Sequence, residues 1–500
     1  MTTQRVVVVG AGVGGLAAAI DLAVAGFDVT VIEAAGMPGG KMRTVDVGGV
    51  AIDAGPTVFT MRWVFDELIR SAGRDPDHEL PVQPATVLAR HAWRDGGRLD
   101  LCADEDQTIA AIRDFAGGRD ADGYRRFCQR SREIHDTLLR PFMTAERPSP
   151  FGLVRAVGMR QLGSLWRTVP YRRLATALRG YFVDPRLRQL FGRYATYVGS
   201  SPYLAPATLM LIAHVEKTGV WRVEGGMRNV ARALHRVGVA RGARYRFGTP
   251  VATIEVERGA ARGVILATGE RVAADVVVFA GDSSALGAGL LGEPVRAASR
   301  PVAPRNRSLS AITWCLQART SGFALSHHNV FFSDDYRREF RDLFTRFQVP
   351  ADPTVYVCAQ ARDADDDPAP GAAEPLLVLV NAPARGDNKD LDPEPVFSRA
   401  QALLHDCGLE LEPVASLATN PGGFARLFPG SGGALYGRAN HGPWASFARA
   451  GAATRISGLY LAGGSVHPGA GVPMATLSGR LAARRVLRDL GLPRPADPHG

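Results

Sequence analysis

The sequence predicts an α/β protein: a Rossmann-like nucleotide-binding domain, a mixed β-sheet domain and a helical subdomain of strongly basic character. Three observations predict it. The N-terminal residues spell a buried strand, a glycine turn, a helix and a second strand closed by an acid. The chain has 500 residues, 46% of them hydrophobic, whereas single cores stop growing at roughly 250–300 residues. The formal charge of +10 is unevenly distributed: the segment from Arg147 to Arg193 holds ten arginines against the single acid Asp184, a net +9 that leaves +1 for the rest. The composition excludes a disordered or collagen-like chain.

The first element is Val6-Val-Val-Val9, a continuous β-branched run of the kind that a parallel strand buried on both faces requires. It enters Gly10-Ala-Gly12-Val-Gly-Gly15, and Leu16 to Leu22 then suit a helix. Phe27–Ile32 reads as the next strand, and Glu33 follows 23 residues after Gly10. Each part has a physical task. Gly10 permits the tight turn, Gly12 lets backbone approach a pyrophosphate, and Gly15 lets helix and strand pack closely. The helix N-terminus presents free N–H groups and a positive dipole end to the phosphates. A carboxylate at position 33 accepts ribose hydroxyls and repels a 2′-phosphate, which selects FAD or NAD over NADP.

The next signal, Gly39-Gly40-Lys41, sharpens that choice, because a second glycine pair followed by a basic residue extends the fingerprint of FAD. Here the sequence resembles the flavin amine oxidase superfamily and, within it, the carotenoid and phytoene desaturases. The resemblance implies that Asp53-Ala-Gly55-Pro56-Thr57 brings backbone near the isoalloxazine ring. It also implies that the backbone of Val251 contacts the adenine side. The block Gly463-Gly464-Ser465-Val-His467-Pro-Gly-Ala-Gly471-Val472-Pro473-Met474 then faces the flavin, ahead of a helix expected from about Ala475 to Leu490. Such a helix end stabilises a reduced, anionic ring. His467 is the one catalytic candidate, with a loop-orienting role as its alternative. The spacing of the many Asp and Glu residues identifies no base.

The variant His467-Pro-Gly-Ala-Gly471 is similar to that of carotene desaturases and isomerases. His327-His328-Asn-Val-Phe-Phe and Thr60-Met-Arg-Trp63 resemble the 1-hydroxycarotenoid 3,4-desaturase branch. That resemblance implies an FAD-dependent oxidoreductase acting on an acyclic C40 carotenoid. Hydride is transferred from an allylic carbon to flavin N5, a proton is lost from its neighbour, and a C3–C4 double bond forms. A phytoene or neurosporene desaturase, or a carotenoid isomerase, shares every flavin motif and remains the alternative. A non-enzymatic isoprenoid carrier of the same fold is expected to lose the glycine fingerprint. A second match to the dinucleotide pattern, Gly287-Ala-Gly289-Leu-Leu-Gly292, is separated from the preceding strand by Asp282-Ser-Ser-Ala-Leu, has no strand-ending acid at the right distance and reads as a loop with a short helical turn. With one dinucleotide fold, electrons leave to an acceptor such as oxygen or a quinone.

These readings divide the chain into a discontinuous FAD domain (1–80, 222–300, 455–500), a substrate domain (81–105, 301–454) and a helical, membrane-facing subdomain (106–221). Asp363–Pro370 reads as an exposed acidic loop. A C40 polyene resides in the bilayer, so the basic segment is expected to dock on an anionic membrane surface through Arg160, Arg167, Arg172 and Arg173. Phe151, Val154, Gly158, Leu162, Leu165 and Val169 are expected on the opposite, inserted face of a helix. Tyr171, Leu174, Leu178, Tyr181 and Phe182 are interleaved with the later arginines. No segment reads as a spanning helix or a signal peptide. The expected location is cytoplasmic, peripherally bound to the inner membrane, and no nucleic-acid partner is expected. Five cysteines without Cys-x-x-Cys spacing argue against a disulfide framework or a zinc site. His327 and His328 are adjacent, which in a strand sends one of them away from any shared metal, and no metal site is expected.

Overall fold

The computed structural model describes residues 4–146, 152, 168–362, 368–369, 371–388 and 390–493. Its organising element is a parallel sheet of five strands in the order Arg244–Arg246, Asp28–Ile32, Arg5–Val9, Val276–Phe279, Leu459–Leu461. The valine run explains itself here. Val6 and Val8 point into one core with the helices, and Val7 and Val9 into another with the antiparallel meander Val251–Glu257, Ala260–Leu266 and Arg271–Ala273. Both faces of the strand are covered, so every residue is apolar, and each fully buried valine stabilises the fold by about 1.5–3 kcal/mol.

Three helices lie on the first face: Val13–Val24, Arg228–Ala240 and Val472–Asp489. The first and third pack backbone to backbone. A Cβ on Gly14 would sit 2.8 Å from Gly463 Cα, and one on Gly479 would sit 2.0 Å from Gly14 O. Arg480 is buried between them, 3.3 Å from Asp21 and 3.1 Å from Glu67. This buried charge is paired, as its desolvation requires.

A mixed sheet of seven strands forms the second layer: Leu409–Thr419, Ser310–Gly322, Glu374–Ala382, Val355–Ala359, His328–Phe331, Val87–Ala92 and Arg98–Cys102. Its pairs are antiparallel except His328–Phe331 with Val87–Ala92. Helix Glu394–Asp406 closes one face through Val396, Phe397, Leu403 and Leu404. Helices Glu105–Ala116, Gly118–Leu138, Pro185–Gly192 and Leu211–Lys217 share a third core around Phe127, Phe182 and Phe191. The strand Val220–Val223 pairs with both Phe59–Thr60 and Val82–Pro84.

Several sequence expectations need correction or placement. Val169 has φ +54° and lies outside any helix, so the inserted face drawn through it does not extend that far. Leu174, Leu178 and Phe182 are buried in the protein's own core rather than turned outward. Amphipathic spacing reports a covered face but not what covers it. Arg160, Arg167 and the residues from Phe151 to Leu165 named for that face lie outside the described residues, as does most of Asp363–Pro370. The second glycine pattern, Gly287–Gly292, is a turn that follows a short helix, Ser283–Gly287, capped by the Asp282 carboxylate on Ser284 N at 2.9 Å. All five cysteines are free thiols. No helix among the described residues is long and apolar enough to cross a membrane.

Candidate functional site

The two sheets and the helices enclose a largely apolar cavity of about 1730 Å³. Ligand cavities commonly span roughly 300–1,000 Å³, so this one has room for more than one small molecule. Part of its wall is made of glycine turns. Another part is made of Leu138, Phe142, Leu209, Ile212, Trp444 and Phe447.

At the glycine end, Gly10 has φ +105° and its N–H donates to Ile32 O at 2.8 Å, turning the chain sharply off the first strand. Gly12 and Gly15 are glycine for opposite reasons. A Cβ on Gly12 would meet nothing within 4 Å, whereas one on Gly15 would lie 2.0 Å from Gly10 O. Gly12 lines the cavity; Gly15 does not and serves helix–strand packing. Glu33 also lines it, with one oxygen accepting from Ala11 N at 2.6 Å and the other from Ala35 N at 2.8 Å. Those contacts hold the carboxylate at the strand end, beside the turn.

Gly40 and Lys41 form the next stretch of wall. The Lys41 ammonium donates to Leu435 O at 2.6 Å and lies 5.3 Å over the Phe428 ring. Burial lowers its pKa, an effect that Asp282 opposes and Arg449 reinforces. Gly55 must be glycine because a Cβ there would sit 1.9 Å from Lys41 O. Pro56 and Thr57 continue along the cavity, and Thr57 Oγ1 is 2.7 Å from Tyr356 Oη. Asp53 ties this segment to the Glu224–Met227 turn by accepting from Met227 N at 2.6 Å. Val251 lines the cavity at the start of its strand.

The C-terminal block completes that end. Gly463, Gly464, Val472, Pro473 and Met474 all line the cavity. The helix begins at Val472, three residues before Ala475, so its first turn and not only its axis faces the cavity. Arg449 clamps the block by donating to Gly464 O at 3.2 Å, to Tyr436 O and to Arg438 O.

His467 is buried and is not part of the cavity wall. Its Nε2 lies 3.0 Å from both Phe142 O and Ala145 O. Two carbonyls accept, so Nε2 carries the proton and bridges the block to the helical part. Burial lowers its pKa to about 4, with the two carbonyl contacts opposing that shift. This geometry corresponds to the orienting alternative and offers no route to a reacting atom.

A polar group deeper in the cavity was missed by sequence reasoning. Arg193, which was counted with the surface charge, lines the cavity with Tyr197, Tyr356 and Tyr436. Glu216 accepts from Tyr194 Oη at 2.5 Å and from Tyr197 Oη at 2.6 Å. Histidine adjacency also misled. The rings of His327 and His328 meet at 89° with centroids 4.6 Å apart, and His327 Nε2 is 3.5 Å from Cys358 Sγ. The ligand-type atoms of these three residues lie within 4.8 Å of one another, because His327 precedes the strand rather than alternating within it. Of the four arginines expected to contact a membrane, Arg172 and Arg173 are described; both are exposed, next to Tyr171 at the cavity rim.

The glycine turns suit a flavin cofactor: an open cradle at Gly12, an acid at the second strand end and a helix N-terminus at Val472. Comparison with known proteins gives the family. Residues 13–487 match the model of the flavin containing amine oxidoreductases. The chain is 51% identical over 496 residues to a hydroxyneurosporene desaturase of Rubrivivax gelatinosus, covering 98% of this chain and 94% of that one. It is 47% identical over 489 residues to a hydroxyneurosporene desaturase of Cereibacter sphaeroides, covering 97% and 98%. Among solved structures, an oxidoreductase from Methanosarcina mazei superposes with a TM-score of 0.60 at 17% identity, over 97% of this chain and 100% of that one. That last likeness concerns the fold.

Proposed function

The chain belongs to the flavin-containing amine oxidoreductase family, and from that premise we propose that it is an FAD-dependent carotenoid desaturase that places the C3–C4 double bond in acyclic 1-hydroxy or 1-methoxy carotenoids. The observation that carries the reading is the 51% identity, over almost the full length of both chains, to a hydroxyneurosporene desaturase. The long apolar cavity supports it, since a polyene needs an apolar channel that leads to the flavin. When bound, FAD supplies the hydride acceptor.

The protein's own residues do the rest. Gly10, Gly12, Glu33, Gly40 and Lys41 would hold the dinucleotide, with Val251 beside the adenine. Gly55, Pro56, Thr57, Gly463, Gly464, Val472, Pro473 and Met474 would hold the ring. The N-terminus of helix Val472–Asp489 would favour negative charge there. The aromatic and aliphatic wall excludes water and orients the chain. Electrons would then pass to oxygen or a quinone. Arg172 and Arg173, exposed beside Tyr171, support docking on an anionic inner-membrane surface.

The test uses purified protein reconstituted with FAD and liposomes carrying a 1-hydroxy acyclic carotenoid. A red shift of the polyene spectrum is expected, with a product bearing one more double bond at C3–C4. No shift with that substrate, or an equal reaction on phytoene, would overturn the reading.

A further inference from the structure

An apolar cavity for a hydrocarbon has no use for a guanidinium, yet Arg193 lines it. The residue follows helix Pro185–Gly192 and opens the turn Arg193–Val198. Its guanidinium lies 5.2 Å over the Tyr197 ring and 5.8 Å over the Tyr356 ring. Its one hydrogen bond among the described residues runs to Tyr197 Oη at 3.4 Å, with no carboxylate in ion-pair range. Glu216, the acid that acts on it, is taken up by Tyr194 and Tyr197. Burial alone would lower the Arg193 pKa, but Tyr197 and Glu216 outweigh burial and hold it above its ordinary value. Arg193 is therefore a fixed cation with unused donors facing the lumen.

Across from it, Tyr356 Oη lies 2.7 Å from Thr57 Oγ1 and 2.8 Å from His328 Nδ1. Burial lowers the His328 pKa well below its usual value, with His327 and Arg193 adding to the effect. The ring is neutral, and Tyr356 is anchored between two polar partners. Thr57 continues directly from Gly55 and Pro56, the turn assigned above to the flavin ring. Arg193, Tyr356 and Thr57 thus make a polar station in the apolar channel, next to the place where chemistry is expected.

We propose that Arg193, with Tyr356 and Thr57, receives the oxygen that the substrate carries on C1, a tertiary hydroxyl or its ether, and so sets which carbon pair stands at the Gly55–Thr57 turn. The inference deepens the reading of the preceding section and rests on it. A hydroxyl or ether oxygen gives the guanidinium the acceptor it lacks. C3 and C4 lie two and three bonds from C1, so anchoring the oxygen beside the turn presents that bond and no other. A pure hydrocarbon would leave the donors facing an apolar chain, and sites built around a polar contact reject analogues that lack it far more strongly than apolar pockets reject a methylene. Specificity would come from one buried cation rather than from the shape of the channel.

The test compares the holoprotein with Arg193→Met, Arg193→Lys and Tyr356→Phe. Equilibrium binding of a 1-hydroxy acyclic carotenoid and of its hydrocarbon counterpart, from identical liposomes, is followed by quenching of flavin fluorescence. The wild type is expected to prefer the hydroxylated chain by about 10-fold or more. In Arg193→Met the preference should fall to within about twofold, with hydrocarbon binding unchanged, and Arg193→Lys should restore part of it. Tyr356→Phe removes one oxygen and should lower the preference with flavin content intact, which covers the case in which Arg193→Met does not fold. A preference that survives in Arg193→Met or, failing its folding, in Tyr356→Phe would overturn the inference, as would a wild type without preference. Failure of the functional reading looks different: the wild type would desaturate no carotenoid, whatever it binds.

Discussion

At the glycine end of the cavity the wall is backbone. A Cβ on Gly55 would sit 1.9 Å from Lys41 O, one on Gly40 3.1 Å from Gly12 Cα and one on Gly463 3.3 Å from Ala280 O, while Gly12 stays open to the cavity. Elsewhere the wall is side chain: Phe142, Leu209, Ile212 and Phe447, with Tyr171 53% exposed and Trp444 64% exposed at the rim. Backbone walls demand particular residues at particular spacings, because no substitution restores a close approach. Side-chain walls accept many apolar residues of suitable volume. On the proposed function, rigid recognition of a cofactor and tolerant accommodation of a long chain would fall to different kinds of surface.

Substitutions at the two ends would sharpen this contrast. The largest effect is expected for Gly15→Ala, whose new methyl would meet Gly10 O at 2.0 Å. A loss of about 3–4 kcal/mol in unfolding free energy, with flavin lost as well, is expected; denaturant titration and flavin absorbance measure it. A variant that keeps both would show that the turn is less rigid than its geometry implies.

His467 comes next, because it joins the C-terminal glycine block to the helical part. Burial favours the neutral ring, its folded pKa is about 4, and the unfolded value is near 6.5. Its contribution is fully present above pH 6.5 and is lost as pH falls through 4. The wild type should lose on the order of 3 kcal/mol more than His467→Gln over that interval. Parallel stability curves for the two proteins would contradict this.

Gly12→Ala separates ligand contact from packing. The site is open and the backbone has φ −69°, so alanine fits. Flavin affinity should fall about 10-fold, equivalent to about 1.4 kcal/mol, while the melting temperature of the flavin-free protein stays within about 1 °C of wild type, as expected when nothing in the folded state is disturbed. A fall in both would make Gly12 a packing residue like Gly15.

The smallest effect concerns the rim. Replacing Arg172 and Arg173 by Gln should weaken binding to anionic liposomes by about 1 kcal/mol per residue, without changing flavin content. Adding Arg160→Gln and Arg167→Gln should extend the trend. Unchanged liposome binding would reduce these arginines to a solvated face.

The same division decides what could be read from sequence. Gly10, Gly12, Gly15, Glu33 and the block around Gly463 were legible because backbone requirements leave local, closely spaced marks. Arg193, Tyr356 and Glu216 were not. They are far apart in the chain and converge only when the seven-stranded sheet meets the helices. Arg193 was even assigned to a surface, since counting charge along a segment cannot show that its last member turns inward. Leu174, Leu178 and Phe182 failed for a related reason: periodicity marks an apolar face whether membrane or protein covers it. His467 had the right neighbourhood and the wrong orientation, since a motif lies in sequence while a ring points in space.

The contact of Gly14 with Gly463 and Gly479 has a consequence for the order in which the protein comes into being. The cradle begins at Gly10, yet Gly463, Gly464 and the start of helix Val472–Asp489, far along the chain, complete its wall. A nascent chain that has left the ribosome up to the seven-stranded sheet still carries a half-built cradle with bare glycines. On the proposed function, capture of flavin would therefore await the block from Gly463 onward, the cofactor would act as an inspector of finished chains, and any product truncated before Gly463 is expected to remain colourless.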